Sequence, residues 1–262
     1  MQSSAFSSAT NAVLFIAEIG GNHEGDFAYA QRLTELAIRS GADAVKFQIY
    51  SGDTLVSAVE SPDRNVHFKK FELPREQYSA LAERVTAAGR MFMASVWDAA
   101  MLDWIDPYIP MHKVGSGDLT CWPLIRLLVR TGKPLILSTG LSNLAEIEAT
   151  GRFIEGEDAT YLRERKLALM LCTSSYPCPD EDVHLRVMDT LRSGFGLPVG
   201  FSDHSVGTLA VEAAVAMGAE IIEKHFTDTR DGKVFRDHKD AITSEERQEM
   251  LPRLHSSVSN RG

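Results

Sequence analysis

The chain has 262 residues, of which 44% are hydrophobic and 24% charged, and its formal net charge is −9. This composition supplies a full apolar core and excludes an intrinsically disordered chain. The acidic balance, without a basic run, excludes a nucleic-acid-binding footprint and a polybasic membrane patch, and no apolar run approaches the roughly 20 residues of a membrane span.

Strand and helix patterns alternate from residue 12 to the end of the chain. Residues 1–11 are rich in Ser and Ala, and we interpret them as a flexible N-terminal arm and not as a signal peptide. Short β-rich apolar runs predict strands that are buried on both faces of a sheet. These runs are Val13–Ile19, Asp43–Tyr50, Met91–Val96, His112–Gly115, Pro134–Ser138, Leu167–Cys172, Pro198–Phe201 and Glu220–His225.

A helix pattern follows each strand. The helices are predicted at Phe27–Ser40, Arg75–Ala88, Asp98–Ile105, Trp122–Thr131, a segment capped by Ser142 or Asn143, Val183–Arg192, Gly207–Met217 and Ser244–Leu254. Residues 51–74 are interpreted as one long loop. Eight regular strand–helix units predict an α/β fold, a (β/α)8 TIM barrel in one domain over residues 12–262. A doubly wound open sheet is the rival prediction.

The cysteines are few and odd in number: Cys121, Cys172 and Cys178. Such a set is unlike a secreted disulfide framework, so we expect a reduced cytoplasmic protein.

Polar residues gather where the predicted strands end, which is where barrel enzymes form their active sites. His204 and His225 follow neighbouring strands, and two imidazoles there could hold one divalent metal ion. The plainer interpretation is two polar residues at strand ends. Lys46 and Lys113 lie within strands, and burying them requires anions, either Glu18 and Glu223 or an anionic ligand.

Seven stretches resemble motifs of the sialic acid synthases, which include the N-acetylneuraminate, legionaminate and pseudaminate synthases and a spore-coat polysaccharide relative. They follow one another in the family's order and extend from Ile16 to the region of Asp240. They are IAEIGGNHEGD (16–26), GADAVKFQ (41–48), KVGSGDLTCWPLI (113–125), KPLILSTG (133–140), CTSSYPCP (172–179), GFSDHSVG (200–207) and EKHFTD (223–228).

The resemblance implies a transferase that forms a C–C bond from phosphoenolpyruvate. Its second substrate would be an N-acetylated amino sugar of the N-acetylmannosamine type, and its products a nine-carbon 3-deoxy-2-keto sugar acid and phosphate. The resemblance also implies a homodimer and a divalent metal, Mn²⁺ with Mg²⁺ or Co²⁺ as alternatives.

The resemblance also assigns roles to residues. His204 and His225 would ligate the metal, and Glu18 would be the acid/base group beside the aldehyde carbon. Asp237, also assigned to catalysis, and Tyr176 would line the sugar side. The phosphoenolpyruvate site would consist of Lys46, Gln48, Ser95, Lys113, Ser116, Ser138, Ser174 and Ser202.

Two features depart from the family pattern. Phe235-Arg236-Asp237-His238 stands where the family has Pro-Gly-Pro-Asp-His. The sequence stops at Gly262, so we expect a catalytic barrel without the C-terminal antifreeze-like (SAF) domain, which in the family dimer reaches the partner's site and gives an arginine to the sugar. A separate lid domain would then cover the mouth, or the loop 51–74 would, with Arg64, Asn65 and His67.

Two other functions stay open at this point. One is a related synthase acting on a phosphorylated sugar, such as those making 3-deoxy-octulosonate or heptulosonate phosphates. It would need more basic residues than the loops offer beyond Arg64. The other is a barrel without a lid that only binds a ligand or a partner.

Overall fold

The computed structural model describes residues 5–8 and 13–259. Eight strands alternate with helices along the described chain. The strands are β1 Leu14–Gly20, β2 Ala44–Ile49, β3 Met91–Val96, β4 His112–Val114, β5 Leu135–Ser138, β6 Leu167–Cys172, β7 Val199–Asp203 and β8 Ile221–His225. The helices are α1 Phe27–Arg39, α2 Gly52–Leu55, α3 Pro62–Lys70, α4 Arg75–Ala87, α5 Ala99–Ile105, α6 Trp122–Arg130, α7 Leu144–Glu157, α8 Thr160–Arg163, α9 Val187–Phe195, α10 Leu209–Ala216 and α11 Ser244–Ser259.

The strands form one parallel sheet that curves into a nearly closed barrel. Its order is β3-β2-β1-β8-β7-β6-β5-β4, so the first and last members of the sheet are consecutive in the chain. These two strands, β3 and β4, also contact each other. The predicted (β/α)8 barrel is therefore confirmed, and the open doubly wound sheet is wrong.

The barrel interior changes from apolar to polar along the strand direction. The amino-terminal part of the strands surrounds a cluster of buried apolar side chains: Phe6, Leu14, Ile16, Ala44, Met93, Met111, Ile136, Ala168, Met170 and Ile221. Each strand's next inward-facing positions, two residues further on, carry polar groups instead. The outward-facing side chains pack against the helices in a second, larger apolar cluster. The apolar floor leaves the upper end of the barrel for a polar site.

The predicted N-terminal arm, residues 1–11, falls largely on residues 1–4 and 9–12, which lie outside the described part. Its described piece, residues 5–8, is held against the barrel. Phe6 is 1% exposed, and the Ser8 hydroxyl donates a hydrogen bond of 2.6 Å to Asp43 Oδ1.

The prediction of a long loop over residues 51–74 is wrong, because the segment contains α2 and α3. Helix α3 has Pro62 in its first turn and basic residues in its last turn, which are favourable end signals. Its sequence is strongly polar, and Asn65 is its only buried residue. Hydrophobic periodicity therefore could not reveal it.

Smaller differences concern helix starts. Helix α9 begins at Val187 and not at Val183, because a 3₁₀ turn over Asp180–Asp182 precedes it. Of the two caps predicted for α7, Asn143 is the one used, in a capping box with Glu146. Among the described helices, none is both long enough and apolar enough to cross a bilayer.

Candidate active site

A cavity of about 810 Å³ opens at the carboxyl ends of the strands. All the residues predicted for the site line it: Glu18, Lys46, Gln48, Ser95, Lys113, Ser116, Ser138, Ser174, Tyr176, Ser202, His204, His225 and Asp237. They come from all eight strands or the loops that follow them. Because the strands are parallel, residues that are far apart in the sequence line the same cavity.

Two lysines and two glutamates form a buried charge network at the bottom of the cavity. Lys46 Nζ lies 2.8 Å from Glu18 Oε2 and 3.5 Å from Glu223 Oε2. Lys113 Nζ lies 3.5 Å from Glu223 Oε1. The Ser202 hydroxyl donates to Glu223 Oε1 at 3.0 Å. The sequence analysis names Glu18 and Glu223 as candidate partners of the two lysines. In the structure Glu18 contacts Lys46, and Glu223 lies near both lysines.

Burial and neighbouring charge set the pKa values of this network. Burial opposes the charge on Lys46, but Glu18 and Glu223 outweigh it, and the pKa of Lys46 is raised. Burial also opposes the charge on Glu223, but Lys113 and Lys46 outweigh it and lower the pKa to about 2. Burial dominates at the other two groups, raising the pKa of Glu18 and lowering that of Lys113. Lys46 and Glu223 are thus a firmly ionised pair, whereas Glu18 and Lys113 move toward neutrality.

The β4–β6 side of the cavity carries Lys113 and several hydroxyl groups. Lys113 Nζ donates to Ser138 Oγ at 2.7 Å. Ser116 Oγ is buried without a hydrogen-bond partner among the described residues. Gly140 brings the backbone close, since a Cβ built there would lie 2.8 Å from both Ser116 Oγ and Ser174 Oγ. An ammonium and several hydroxyls in this arrangement suit a bound phosphate or carboxylate.

The two predicted metal ligands lie side by side on β7 and β8. The ring centroids of His204 and His225 are 5.3 Å apart. His204 Nδ1 lies 2.8 Å from the carbonyl oxygen of Thr173, so this nitrogen carries the proton and donates it. The Nε2 lone pair of His204 is therefore available to a metal ion. Burial lowers the pKa of His204 to about 3, which keeps the ring neutral as ligation requires.

A third potential ligand, Asp240, was missed by the sequence analysis. One ligand atom each from His204, His225 and Asp240 lies within 4.8 Å of the others, and all three residues are buried. The loop after β8 carries Asp240, three positions beyond the predicted Asp237. The sequence did offer a signal, since the loop after β8 carries other aspartates besides Asp237. The family resemblance gives a role only to Asp237.

Aromatic and charged side chains form the outer wall of the cavity beside the histidines. The Tyr176 ring lies 4.0 Å from that of His204, centroid to centroid, and Arg236 Cζ lies 3.9 Å from the Tyr176 ring centre. Arg236 Nε donates to Asp237 Oδ1 at 2.8 Å. Asp237 Oδ2 is 3.8 Å from His225 Nε2. Asp237 thus lies at the site, with its charge already matched by Arg236.

Helix α3 forms part of the rim. Asp63, Arg64, His67 and Phe68 line the cavity. Of the three residues that the alternative with residues 51–74 over the mouth names, Arg64 and His67 line the cavity and Asn65 does not. The Asn65 amide points away and donates to the carbonyl oxygens of Gly52 and Val56, at 2.9 and 2.8 Å. Asn65 therefore fastens α3 to α2.

Comparisons with known proteins agree with this geometry. A model of the NeuB family matches residues 33–262. An uncharacterized protein of Methanocaldococcus jannaschii is 41% identical over 81% of this chain and 61% of its own length. The N,N'-diacetyllegionaminic acid synthase of Legionella pneumophila is 39% identical over 81% of this chain and 63% of its own length. The crystal structure of N-acetylneuraminic acid synthetase from Leptospira borgpetersenii in complex with citrate superposes with a TM-score of 0.88, at 30% identity, over 96% of this chain and 86% of that one. The chain spans less than two thirds of the length of each of these two curated relatives.

Proposed function

The chain belongs to the NeuB family, and from this membership we propose that it condenses phosphoenolpyruvate with an N-acetylated amino sugar. The products are a nine-carbon 3-deoxy-2-keto sugar acid and phosphate. The names of the Legionella and Leptospira relatives, both sialic acid-type synthases, support this reaction class. Phosphoenolpyruvate and the amino sugar are accordingly the proposed partners.

The observation that carries the proposal is the arrangement of cations at the closed end of the cavity. Lys46 and Lys113 are 2% and 4% exposed, and they lie next to different oxygens of the Glu223 carboxylate. The Ser138 hydroxyl accepts a hydrogen bond from Lys113, and the hydroxyls of Ser116 and Ser174 lie beside Gly140 in the same cavity. A small ligand with a carboxylate and a phosphate uses both lysines, and hydrogen bonds from the hydroxyls strengthen in this dry environment.

The residues around His204 and His225 fit a divalent metal ion, and Mn²⁺ is the ion we propose, with Mg²⁺ and Co²⁺ as alternatives. His204 has its tautomer fixed by Thr173, His225 Nδ1 is buried without a hydrogen-bond partner among the described residues, and so are both oxygens of the Asp240 carboxylate. A bound cation would coordinate these buried nitrogen and oxygen atoms and so offset the cost of burying them without hydrogen bonds. When bound there, the ion supplies a Lewis acid for the aldehyde oxygen.

Glu18 is the proposed acid/base residue. Its carboxyl group lies between Lys46 and Gln48, whose Nε2 donates to Glu18 Oε1 at 3.1 Å. Burial raises the pKa of Glu18, which makes a proton easier to hold at neutral pH than on an exposed glutamate. From this position Glu18 can donate a proton to the developing sugar hydroxyl or accept one from the attacking water.

The outer cavity favours an uncharged sugar over a phosphorylated one. Arg64 and Arg236 are its cationic side chains, and Asp63, Asp118 and Asp237 line the same region. Arg236 is already paired with Asp237. A second phosphate would therefore meet more carboxylates than free cations, which disfavours a synthase of the octulosonate or heptulosonate phosphate type.

Location and assembly are further parts of the proposal. The three cysteines are free thiols, which suits a reducing cytoplasm. A homodimer is proposed from the resemblance to the family alone. The mouth of the barrel is proposed to be covered by α3, by a separate lid domain, or by both in turn.

Sugar-dependent phosphate release tests the function. Purified protein with Mn²⁺ and phosphoenolpyruvate is assayed with N-acetylmannosamine and with a 2,4-diacetamido-trideoxyhexose, and the keto acid is identified by mass spectrometry. Release of phosphate should require the sugar and should stop after chelation. The Lys113→Met variant is the matched control for a site-dependent reaction. Phosphate release of equal rate without any sugar, or no keto acid with either sugar, rejects the proposed function.

A further inference from the structure

The loop that follows β8 brings a carboxylate next to the two histidines. Residue Ile242 pairs with Phe226 in a parallel bridge. Its N–H donates to the carbonyl oxygen of His225 at 2.8 Å, and Thr227 N–H donates to the Ile242 carbonyl oxygen at 3.0 Å. Asp240 is two residues before this anchor point. Its position beside His225 is therefore set by backbone hydrogen bonds and not by a freely moving loop.

Asp237 and Asp240 of this loop have different surroundings. Asp237 is engaged by Arg236 at 2.8 Å. Asp240 is 0% exposed, and neither of its carboxylate oxygens has a hydrogen-bond partner among the described residues. A buried carboxylate without donors is strongly unfavourable unless something else satisfies it. Its neighbours include the imidazoles of His204 and His225.

We propose that Asp240 is the third protein ligand of a divalent metal ion held by His204 and His225. This inference rests on the metal site of the proposed function and deepens it. The site then has two imidazoles and one carboxylate, a set that suits Mn²⁺, Co²⁺ and Zn²⁺. Three protein ligands leave the remaining coordination positions to water and substrate.

The spacing of the three side chains fits one shared ion. Nitrogen and oxygen ligands bind such ions at about 2.0–2.2 Å, so two ligands of one ion lie at most about 4.4 Å apart. The observed atoms lie within 4.8 Å of one another, which a contraction of a few tenths of an ångström closes. The alternative role for Asp240 is to accept a hydrogen bond from a ring N–H of His225. No hydrogen bond joins the two side chains in the described structure, and His225 Nδ1 remains without a partner.

The test measures metal affinity in the absence of both substrates. Mn²⁺ is titrated calorimetrically into metal-free wild type and into Asp240→Asn, Asp231→Asn and His225→Ala variants, whose folding is checked by circular dichroism. We expect Asp240→Asn to weaken binding at least tenfold, as His225→Ala does. Asp231→Asn, at an exposed aspartate of the same loop that does not line the cavity, is the matched control, and it should retain the affinity within about threefold. Co²⁺ absorption spectra supply a second readout, because losing a carboxylate ligand changes the visible bands.

The outcomes separate this inference from the proposed function. Wild-type affinity in Asp240→Asn rejects the third ligand, and so does a weakened affinity with an unchanged Co²⁺ spectrum, which indicates a role outside the coordination shell. Absence of Mn²⁺ binding to wild type also rejects it. None of these results depends on turnover. Failure of sugar-dependent phosphate release in a protein that binds Mn²⁺ through Asp240 would instead reject the reaction and leave the metal site standing.

Discussion

Lys224 Nζ lies 2.6 Å from Asp203 Oδ2, and both side chains are 0% exposed. The pair joins β8 to β7 on the outer face of the barrel, and each member directly precedes one of the two histidines. Lys224 also donates to the Ser205 carbonyl oxygen, and Asp203 Oδ1 accepts from Ser205 N–H at 2.8 Å. These hydrogen bonds hold together the carboxyl ends of β7 and β8, where His204 and His225 lie.

Breaking the Asp203–Lys224 pair on one side should be strongly destabilising. In Asp203→Asn the Lys224 ammonium stays buried without its counter-charge, a change that typically costs about 3–5 kcal/mol. The double variant Asp203→Asn/Lys224→Met removes both charges and should recover most of the lost free energy of unfolding. Urea denaturation of metal-free protein measures this directly.

The exposed i,i+4 pair of Glu148 and Arg152 on α7 provides the control for this comparison. Glu148→Gln should leave the free energy of unfolding nearly unchanged, because exposed pairs contribute little. A double variant no more stable than Asp203→Asn would contradict the explanation by charge.

The strands and the inner site were predictable because each depends on a local pattern. The run Ala44–Ile49 is apolar apart from Lys46 and Gln48, and it is a strand with Lys46 turned inward. A parallel barrel then brings every strand end to one rim, so that listing polar residues at strand ends is enough to assemble the cavity. For this reason the sequence alone predicts that His204 and His225 lie together at the rim.

Asp240 and helix α3 could not be predicted, because both depend on contacts between segments that are distant in the sequence. Asp240 becomes a potential ligand only because Ile242 pairs beside β8 and turns the loop back. Helix α3 is held by Asn65 bonding to α2, not by an apolar stripe. Both features come from hydrogen bonds between segments, and hydrophobic periodicity carries no information about these.

Replacing Lys113 should weaken phosphoenolpyruvate binding. Lys113 is buried beside Ser138 and Glu223, so Lys113→Met removes a cation whose field is little screened by water. We expect a loss of about 2–5 kcal/mol, or at least roughly 30-fold in Kd, by calorimetry. Lys166→Met, at a partly exposed lysine just before β6, is the control and should bind as wild type. Unchanged affinity in Lys113→Met would rule out the lysine-lined anion site.

Acid should destabilise the protein partly through His112, at the opposite end of the barrel. Burial lowers the pKa of His112 from 6.5 to about 4, although Asp106 acts in the other direction. Between these values the unfolded chain binds more protons than the fold, so this contribution to stability is complete above pH 6.5 and is lost as the pH falls toward 4. Urea unfolding between pH 4 and 7.5 measures the slope.

His112→Gln keeps a neutral polar group and should flatten that slope. The change will be partial, because burial also lowers the pKa of His23 and His238 to about 4. His255→Gln, on the exposed face of α11, is the control, since that ring stays in solvent in both states. An identical slope in His112→Gln and wild type would show that His112 does not contribute.

Gly140→Ala should disturb the hydroxyl cluster without touching a charge. The new methyl group would lie 2.8 Å from Ser116 Oγ and Ser174 Oγ and 2.9 Å from the Cys172 carbonyl oxygen, and the backbone atom cannot move aside easily. We expect KM for phosphoenolpyruvate to rise about tenfold. Gly151→Ala, in α7 with no atom within 4 Å of the new carbon, is the matched control. Equal KM values in the two variants would place the serines outside the anion site.

Arg64 on α3 should act on the amino sugar and not on phosphoenolpyruvate. It lines the outer cavity, whereas Lys46 and Lys113 lie buried at its closed end, so truncating Arg64 removes a hydrogen-bond donor only from the second substrate. We expect Arg64→Ala to raise KM for the sugar about tenfold, equivalent to about 1.4 kcal/mol, with KM for phosphoenolpyruvate nearly constant. Lys70→Ala is the control from the same helix, since Lys70 Nζ lies over the Phe71 ring, 5.7 Å from its centre, and does not line the cavity. A lower kcat with both KM values unchanged would assign α3 to closure over the reacting groups, and the same kinetics in Arg64→Ala and Lys70→Ala would mean that α3 does not contact the sugar.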